Sequence, residues 1–265
     1  MEFLLIYMAI GVFAGLSAGL LGVGGGAVTV PLLLWVFALE GFSNEVATHI
    51  ALATSLAAMT VTSISSTLAH AGKKAVMWNV FAFLAIGVVL GSIAGVLSAV
   101  NIAGHVLQIA FAFFLAYVAL QMIFGFSPSP DRSVPAAPGL VGAGGVIGCV
   151  SMYFGIGGGS LTVPYLSYCG VPPRQAVGTS AALGLPIALW GTVLYVISGW
   201  DVAGLPDGAY GYVYFPAALG IVLTSAVFAR VGANIAHRLK PAQLRKVFGL
   251  VLLTVSADLI WRNLG

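Results

Sequence analysis

The stretch Gly22-Val23-Gly24-Gly25-Gly26-Ala27-Val28-Thr29-Val30-Pro31 interrupts a strongly apolar region with a run of helix-breaking residues. It recurs as Gly155-Ile156-Gly157-Gly158-Gly159-Ser160-Leu161-Thr162-Val163-Pro164, in one register at an offset of 133. Glycine falls on glycine, threonine on threonine, proline on proline. A break written twice marks a chain built from two copies of one unit, and marks the break as a candidate for the working part.

The surroundings name the solvent. Of 265 residues 60% are hydrophobic and only 6% charged, against about 25% charged in soluble domains. No ordinary core hides that much apolar surface, so lipid must cover much of it. Long unbroken apolar runs, without alternating ten-residue strands, indicate helices rather than a barrel. The length accommodates roughly eight to ten membrane segments of about 20 residues. The first residues, Met1-Glu2, lack the basic start of a signal peptide, so the first apolar segment is expected to persist.

Several function classes drop out. A net charge of +3 spread over short loops, with no basic stripe, argues against nucleic acid. Cys149 and Cys169 lie in apolar segments and read as small hydrophobes. No zinc-ligand spacing, phosphate loop or nucleophile elbow occurs, so neither an enzyme, a cofactor nor a metal is expected.

In order, the first half reads as an apolar helix to Leu21, the break, a short apolar piece Ala27–Leu39, and a polar loop. A Ser/Thr-rich helix Val46–Ala71 and spans 76–100 and 105–126 complete it. Gly87, Gly91 and Gly95 share one face of the first of these spans, where another helix can approach closely. Ser127–Pro138, with four prolines, reads as a linker. The second half repeats the plan with spans 139–154, 160–169, 176–199, 211–235 and 247–261. The predicted fold is an all-α polytopic membrane protein of two repeats, 1–126 and 139–265, joined by linker 127–138. Each repeat is a Gly-broken helical hairpin followed by three transmembrane helices.

Loop charges orient the halves. Lys73 and Lys74 follow the third segment of the first half, where the second half carries Asp201 and Asp207. The bases Arg238, Lys240, Arg245 and Lys246 follow its fourth segment, where the first half has none. Under the positive-inside rule, corresponding loops face opposite sides, as in inverted repeats of secondary transporters. The linker then lies in the cytoplasm and both termini outside. Each broken pair must begin and end on one side, as a re-entrant hairpin or as two crossings.

Within lipid, irregular backbone persists only where protein buries it or water reaches it. A helix starting near Ala27 or Ser160 aims its unpaired amides at the break, where anions are favoured. Gly24, Gly25, Gly26, Gly157, Gly158 and Gly159 would let a ligand approach the backbone. Ser160 is expected to cap its helix and to donate to an oxyanion, which Ala27 cannot do. Thr29, and the matching pairs Thr54-Ser55 and Thr179-Ser180, complete a candidate lining. Ser and Thr in membrane helices also commonly bond back to their own helix. His49 and His70 sit near segment ends as interfacial residues, His70 with a possible proton-relay role. Arg230 either snorkels to the interface or lines an exit. Asp258 and Arg262 are spaced as a surface pair.

The stretches Gly11–Pro31, Ala53–His70, Gly142–Pro164, Gly178–Tyr195 and Ala233–Leu253 together resemble the sulfite exporter TauE/SafE family. The resemblance implies a membrane transporter of two related halves that moves small sulfur-containing anions such as sulfite, sulfoacetate and related sulfonates. Its expected setting is the cytoplasmic (inner) membrane, with a proton or sodium as coupling ion. The rival readings are a passive anion channel, a carrier of another small organic anion and a non-transporting scaffold. Ala27 opposite Ser160, and Tyr195 opposite His70, make the halves unequal. The sequence assigns no oligomeric state.

Overall fold

Without water to pair with, backbone amides in lipid must be satisfied within their own segment, and the apolar runs accordingly close as helices. A computed structural model describes residues 2–21, 25–124, 133–236 and 241–264. The first half comprises α1 (Glu2–Leu21), α2 (Gly26–Leu39), α3 (Asn44–Gly72), α4 (Trp78–Ala99) and α5 (Gly104–Phe124). The second comprises α6 (Ala137–Phe154), α7 (Gly159–Tyr168), α8 (Pro173–Ser198), α9 (Phe215–Ala236) and α10 (Pro241–Leu264). Five of these helices, α3, α4, α5, α6 and α8, are long and apolar enough to cross a membrane. The 14 residues of α2 and the 10 of α7 rise only ~21 and ~15 Å, short of a core about 30 Å thick.

The halves interlock rather than sit side by side. Helix α1 packs against α9, and α4 packs against α6, so each half's first helix meets the other's fourth. Third meets third (α3 with α8) and fifth meets fifth (α5 with α10). Small residues make the crossed pairs possible. A Cβ at Gly95 would fall 2.7 Å from the Cys149 carbonyl oxygen, and one at Gly148 would fall 2.8 Å from the Val88 Cα. In the reciprocal pair, a Cβ at Gly15 would fall 2.9 Å from the Ser225 Cα. Large apolar side chains such as Leu5, Phe124 and Trp261 point outward, 69%, 76% and 79% exposed, as a lipid-facing surface requires. Leu52 to Leu56 of α3 are all buried at the centre.

Several boundaries differ from the sequence reading. The linker ends earlier, because Ala137 and Pro138 already belong to α6, where a proline in the first turn costs no hydrogen bond; residues 127–132 lie outside the described part. The span expected from Gly211 instead begins at Phe215. Before it runs a hairpin of β1 (Ala209–Tyr210) and β2 (Val213–Tyr214). Gly211 turns it at φ +55°, with its Cα face against Val196. Arg245 and Lys246 lie within α10 rather than in a loop. His49 is packed inside the protein: it is 5% exposed, with Nε2 3.1 Å from the Ala99 carbonyl oxygen and its ring against Tyr212.

Candidate functional site

The two breaks touch. Gly22, Val23 and Gly24 lie outside the described residues, but Gly25 and Gly26 are buried at the start of α2. A Cβ at Gly26 would fall 2.6 Å from the Gly155 carbonyl oxygen, 2.8 Å from the Ile156 Cα and 2.9 Å from the Met59 sulfur. Gly155 caps α6 in the left-handed region (φ +59°), its N–H donating to the Ser151 carbonyl. A side chain there would be excluded twice, by that conformation and by Leu52, whose Cα would lie 2.8 Å away. The Ser55 hydroxyl donates to the Gly155 carbonyl at 2.9 Å, tying α3 to the same point.

The hydroxyls of the first break are all engaged. Thr29 donates to the Gly25 carbonyl at 2.9 Å, and Thr54 accepts the Tyr214 N–H at 3.0 Å. Thr179 does the same service for the other half, accepting the Met77 N–H at 2.9 Å. Thr54 and Thr179 therefore anchor the chain entering α9 and α4 respectively, a structural duty in matching places.

At the second break the pattern changes. Gly157, Gly158 and Gly159 are buried, and Gly158 is the N-cap of α7. The expectation that Ser160 caps this helix does not hold: it lies inside the first turn, and no side chain caps α7. Ser160 is 6% exposed, Thr162 and Ser180 are fully buried, and none of their hydroxyl oxygens has a hydrogen-bond partner among the described residues. Ser151 in the last turn of α6 is in the same state. Thr162 and Ser180 flank Gly158, whose Cβ would stand 3.1 Å from the Thr162 hydroxyl and 3.6 Å from the Ser180 carbonyl oxygen. A buried polar group left without a partner costs about 1–3 kcal/mol. The hydroxyls of Ser92 in α4 and Ser225 in α9 are likewise buried without a partner among the described residues.

Thr162 and Ser151 were not among the sequence candidates. The offset of 133 from Thr29 identifies Thr162 directly; nothing in the sequence singled out Ser151. His70 does not join the site. It lies in the last turn of α3, fifteen residues beyond Ser55, or ~22 Å along the helix. Its counterpart Tyr195 is fully buried and donates to the Met152 carbonyl at 2.8 Å. Arg230 borders a cleft of about 490 Å³ against Val61, Ile64, Ser65, Leu68 and Ala69, one face of α3. Thr67 of the same helix turns away to the Ala181 carbonyl of α8. Among the described residues no group of three His, Cys, Asp or Glu side chains could hold a metal ion.

The described family that matches is "Sulfite exporter TauE/SafE", over residues 7–259. The chain belongs to the sulfite exporter TauE/SafE family. Relatives of the family's character cover nearly all of it. A "Probable membrane transporter protein" of Haemophilus influenzae is 31% identical over 97% of this chain and 98% of its own length. A protein of the same description from Xylella fastidiosa is 30% identical over 98% and 96%. One from Bacillus subtilis is 26% identical over 98% of each. The TauE/SafE chain described here is thus a multi-pass membrane protein of a transporter family, and both glycine breaks, at 22–31 and 155–164, lie within the matched residues.

Proposed function

We propose that this protein is a secondary transporter, in the exporting direction, of a small sulfur oxyanion or organosulfonate across the cytoplasmic membrane. One observation carries the reading: among the described residues, the buried hydroxyls of Ser160 and Thr162 in α7, and of Ser180 in α8, whose backbone carbonyl borders Gly158, have no partner. Hydroxyl and amide donors without a fixed cation suit an anion that must bind and also leave. The absence of carboxylates from these first turns is in keeping with a negative ligand.

The two repeats, 1–126 and 139–265, are inverted in this reading, with Lys73 and Lys74 on the cytoplasmic side and both termini outside. The reciprocal pairing of α1 with α9 and α4 with α6 supports it. Alternating access then moves the interlocked helices about the point where Gly26 meets Gly155, and a coupling ion drives the cycle.

Purified protein in proteoliposomes is expected to show saturable, counterflow-capable flux of sulfite or a sulfonate. Ser180→Ala with Thr162→Val is expected to lower that flux at least tenfold in correctly folded protein. Ohmic currents in place of counterflow would make the protein a channel, and saturable flux of an unrelated solute alone would remove the substrate assignment.

A further inference from the structure

Glu40 stands apart from the other described carboxylates. Glu45, Asp201 and Asp207 are exposed, and Asp258 pairs with Arg262 at 2.8 Å on the surface. Glu40 is half-buried at the C-terminal end of α2, where its Oε1 accepts the Tyr7 phenol at 2.7 Å. Tyr7 belongs to α1 and is 1% exposed. Its ring meets Phe37 at 6.4 Å and Tyr214 at 6.2 Å, edge to face, and Phe42 stacks on Phe37 at 4.6 Å. A carboxylate is thus held against an aromatic wall rather than against a cation.

That wall continues to the breaks. Tyr214 donates its backbone N–H to Thr54, whose neighbour Ser55 donates to the Gly155 carbonyl. Helix α2 itself is the second connection: the Glu40–Tyr7 bond holds one end, and the Gly26–Gly155 contact lies at the other. Glu40 and Gly26 thus stand at the two ends of one short helix. The second half has no equivalent, since the loop from Pro31 to Thr54 is longer than that from Pro164 to Thr179 and Leu140 replaces Tyr7.

We propose that Glu40, held by Tyr7, is the binding site of a coupling proton, taken up and released once per transport cycle. The assignment rests on the carrier reading above and names its coupling ion. Neutral Glu40 sits comfortably in the aromatic wall, and ionised Glu40 needs the Tyr7 donor or water. Two states of α2 relative to α1 therefore differ in proton affinity, and by linkage the proton biases whichever state binds it better. Burial supports this by raising the Glu40 carboxyl above its ordinary value, with the Tyr7 bond acting in the opposite sense. The titratable groups on the packed elements are Glu2 and Tyr7 of α1, Tyr214 of β2, Glu45, His49 and His70 of α3, Cys149 and Tyr153 of α6, and Arg245, Lys246, Asp258 and Arg262 of α10; Asp258 and Arg262 pair with each other, and Tyr153 bonds Ser98. Tyr214 is itself raised by burial and by Glu40. Glu45 is exposed and His49 is turned to Ala99 and Tyr212.

The test uses full-length protein in proteoliposomes loaded with an organosulfonate, which stays ionised at all relevant pH values, and a trapped pH dye. Wild type is expected to move protons with the sulfonate and to show a pH-dependent rate. Glu40→Gln should keep folded protein and abolish sulfonate-dependent proton movement, leaving flux flat with pH. Tyr7→Phe removes the donor that favours the ionised form, and should shift the midpoint to higher pH while retaining proton movement. Glu45→Gln should match wild type. Proton movement that survives Glu40→Gln, or a Tyr7→Phe midpoint that is unchanged or lower, would overturn the proposal while leaving the carrier intact. A wild type without sulfonate or sulfite flux would instead remove the carrier reading, and the coupling site with it.

Discussion

The two breaks share ten aligned positions, yet one is a finished joint and the other holds unspent donors. At the first, Thr29, Thr54 and Ser55 each have a protein partner, and Gly26 is wedged on Gly155. At the second, the hydroxyls of Ser160, Thr162 and Ser180 have none among the described residues. The difference teaches that two stretches of matching sequence can differ in how far the fold satisfies them: among the described residues, the hydroxyls at the first are paired and those at the second are not. Ala27 facing Ser160 is the plainest trace of that difference in the sequence.

The sharpest way to break this comparison is a methyl group at each glycine. Gly26→Ala places a Cβ 2.6 Å from a carbonyl oxygen and 2.8 Å from a Cα, and backbone cannot step aside cheaply. Overpacking of this kind costs about 1–3 kcal/mol or more, so detergent-solubilised Gly26→Ala should show the largest loss of thermal stability in the series. Gly158→Ala meets the Ile187 Cδ1 at 3.0 Å and the Thr162 hydroxyl at 3.1 Å. Those are side-chain ends, so this variant should fold and lose flux instead. Equal instability of the two would show that the second break is also only a joint.

Next come the serines. Ser55→Ala leaves the buried Gly155 carbonyl without its donor and should cost about 1–2 kcal/mol in unfolding experiments. Ser180→Ala removes an unpartnered group, so its stability should be unchanged or slightly higher while anion-induced thermal stabilisation disappears. A destabilised Ser180→Ala would mean that its hydroxyl is already spent on the fold.

The threonines should erase the contrast. Thr54→Val and Thr179→Val each strand one backbone N–H, of Tyr214 or Met77, and should lose similar stability, about 1 kcal/mol each. A large inequality would show that these anchors are not equivalent.

The smallest effect is expected from Glu40, found in the first half alone. Its carboxyl is raised in the fold, so the protonated form binds its proton more tightly folded than unfolded. The associated stability is present below the unfolded value and is lost as pH rises through the folded one. The wild-type melting temperature should therefore fall relative to that of Glu40→Gln as pH rises from about 4 towards 7. An opposite slope would show that the Tyr7 bond outweighs burial.

Much of this was legible in the residues. The helices, the two short pieces after the breaks and the Gly87-Gly91-Gly95 face follow from apolar length and small-residue spacing, which are local properties. The surface pair of Asp258 and Arg262 follows from their four-residue spacing. The hairpin at 209–214 was missed because its short run of tyrosine, glycine and valine continues the apolar pattern of α9. Ser160 misled as a cap because the helix already begins at Gly159, which places the N-cap at Gly158, two residues before Ser160. Glu40 escaped notice because its partner lies 33 residues away on another helix.

The sequence by itself determined that lipid is the solvent, and that one ten-residue glycine-rich stretch recurs, breaking the helical pattern each time. Composition and periodicity are enough for those conclusions, since they depend on how each segment meets its solvent. Only the tertiary structure decided that the first helix of each half pairs with the fourth of the other, and that the breaks meet at Gly26 and Gly155. It alone separated hydroxyls already spent on holding the fold from those still unpaired. Hydrogen-bond satisfaction depends on what stands opposite each donor, and here that is set by segments one hundred residues apart, as Ser55 and Gly155 show.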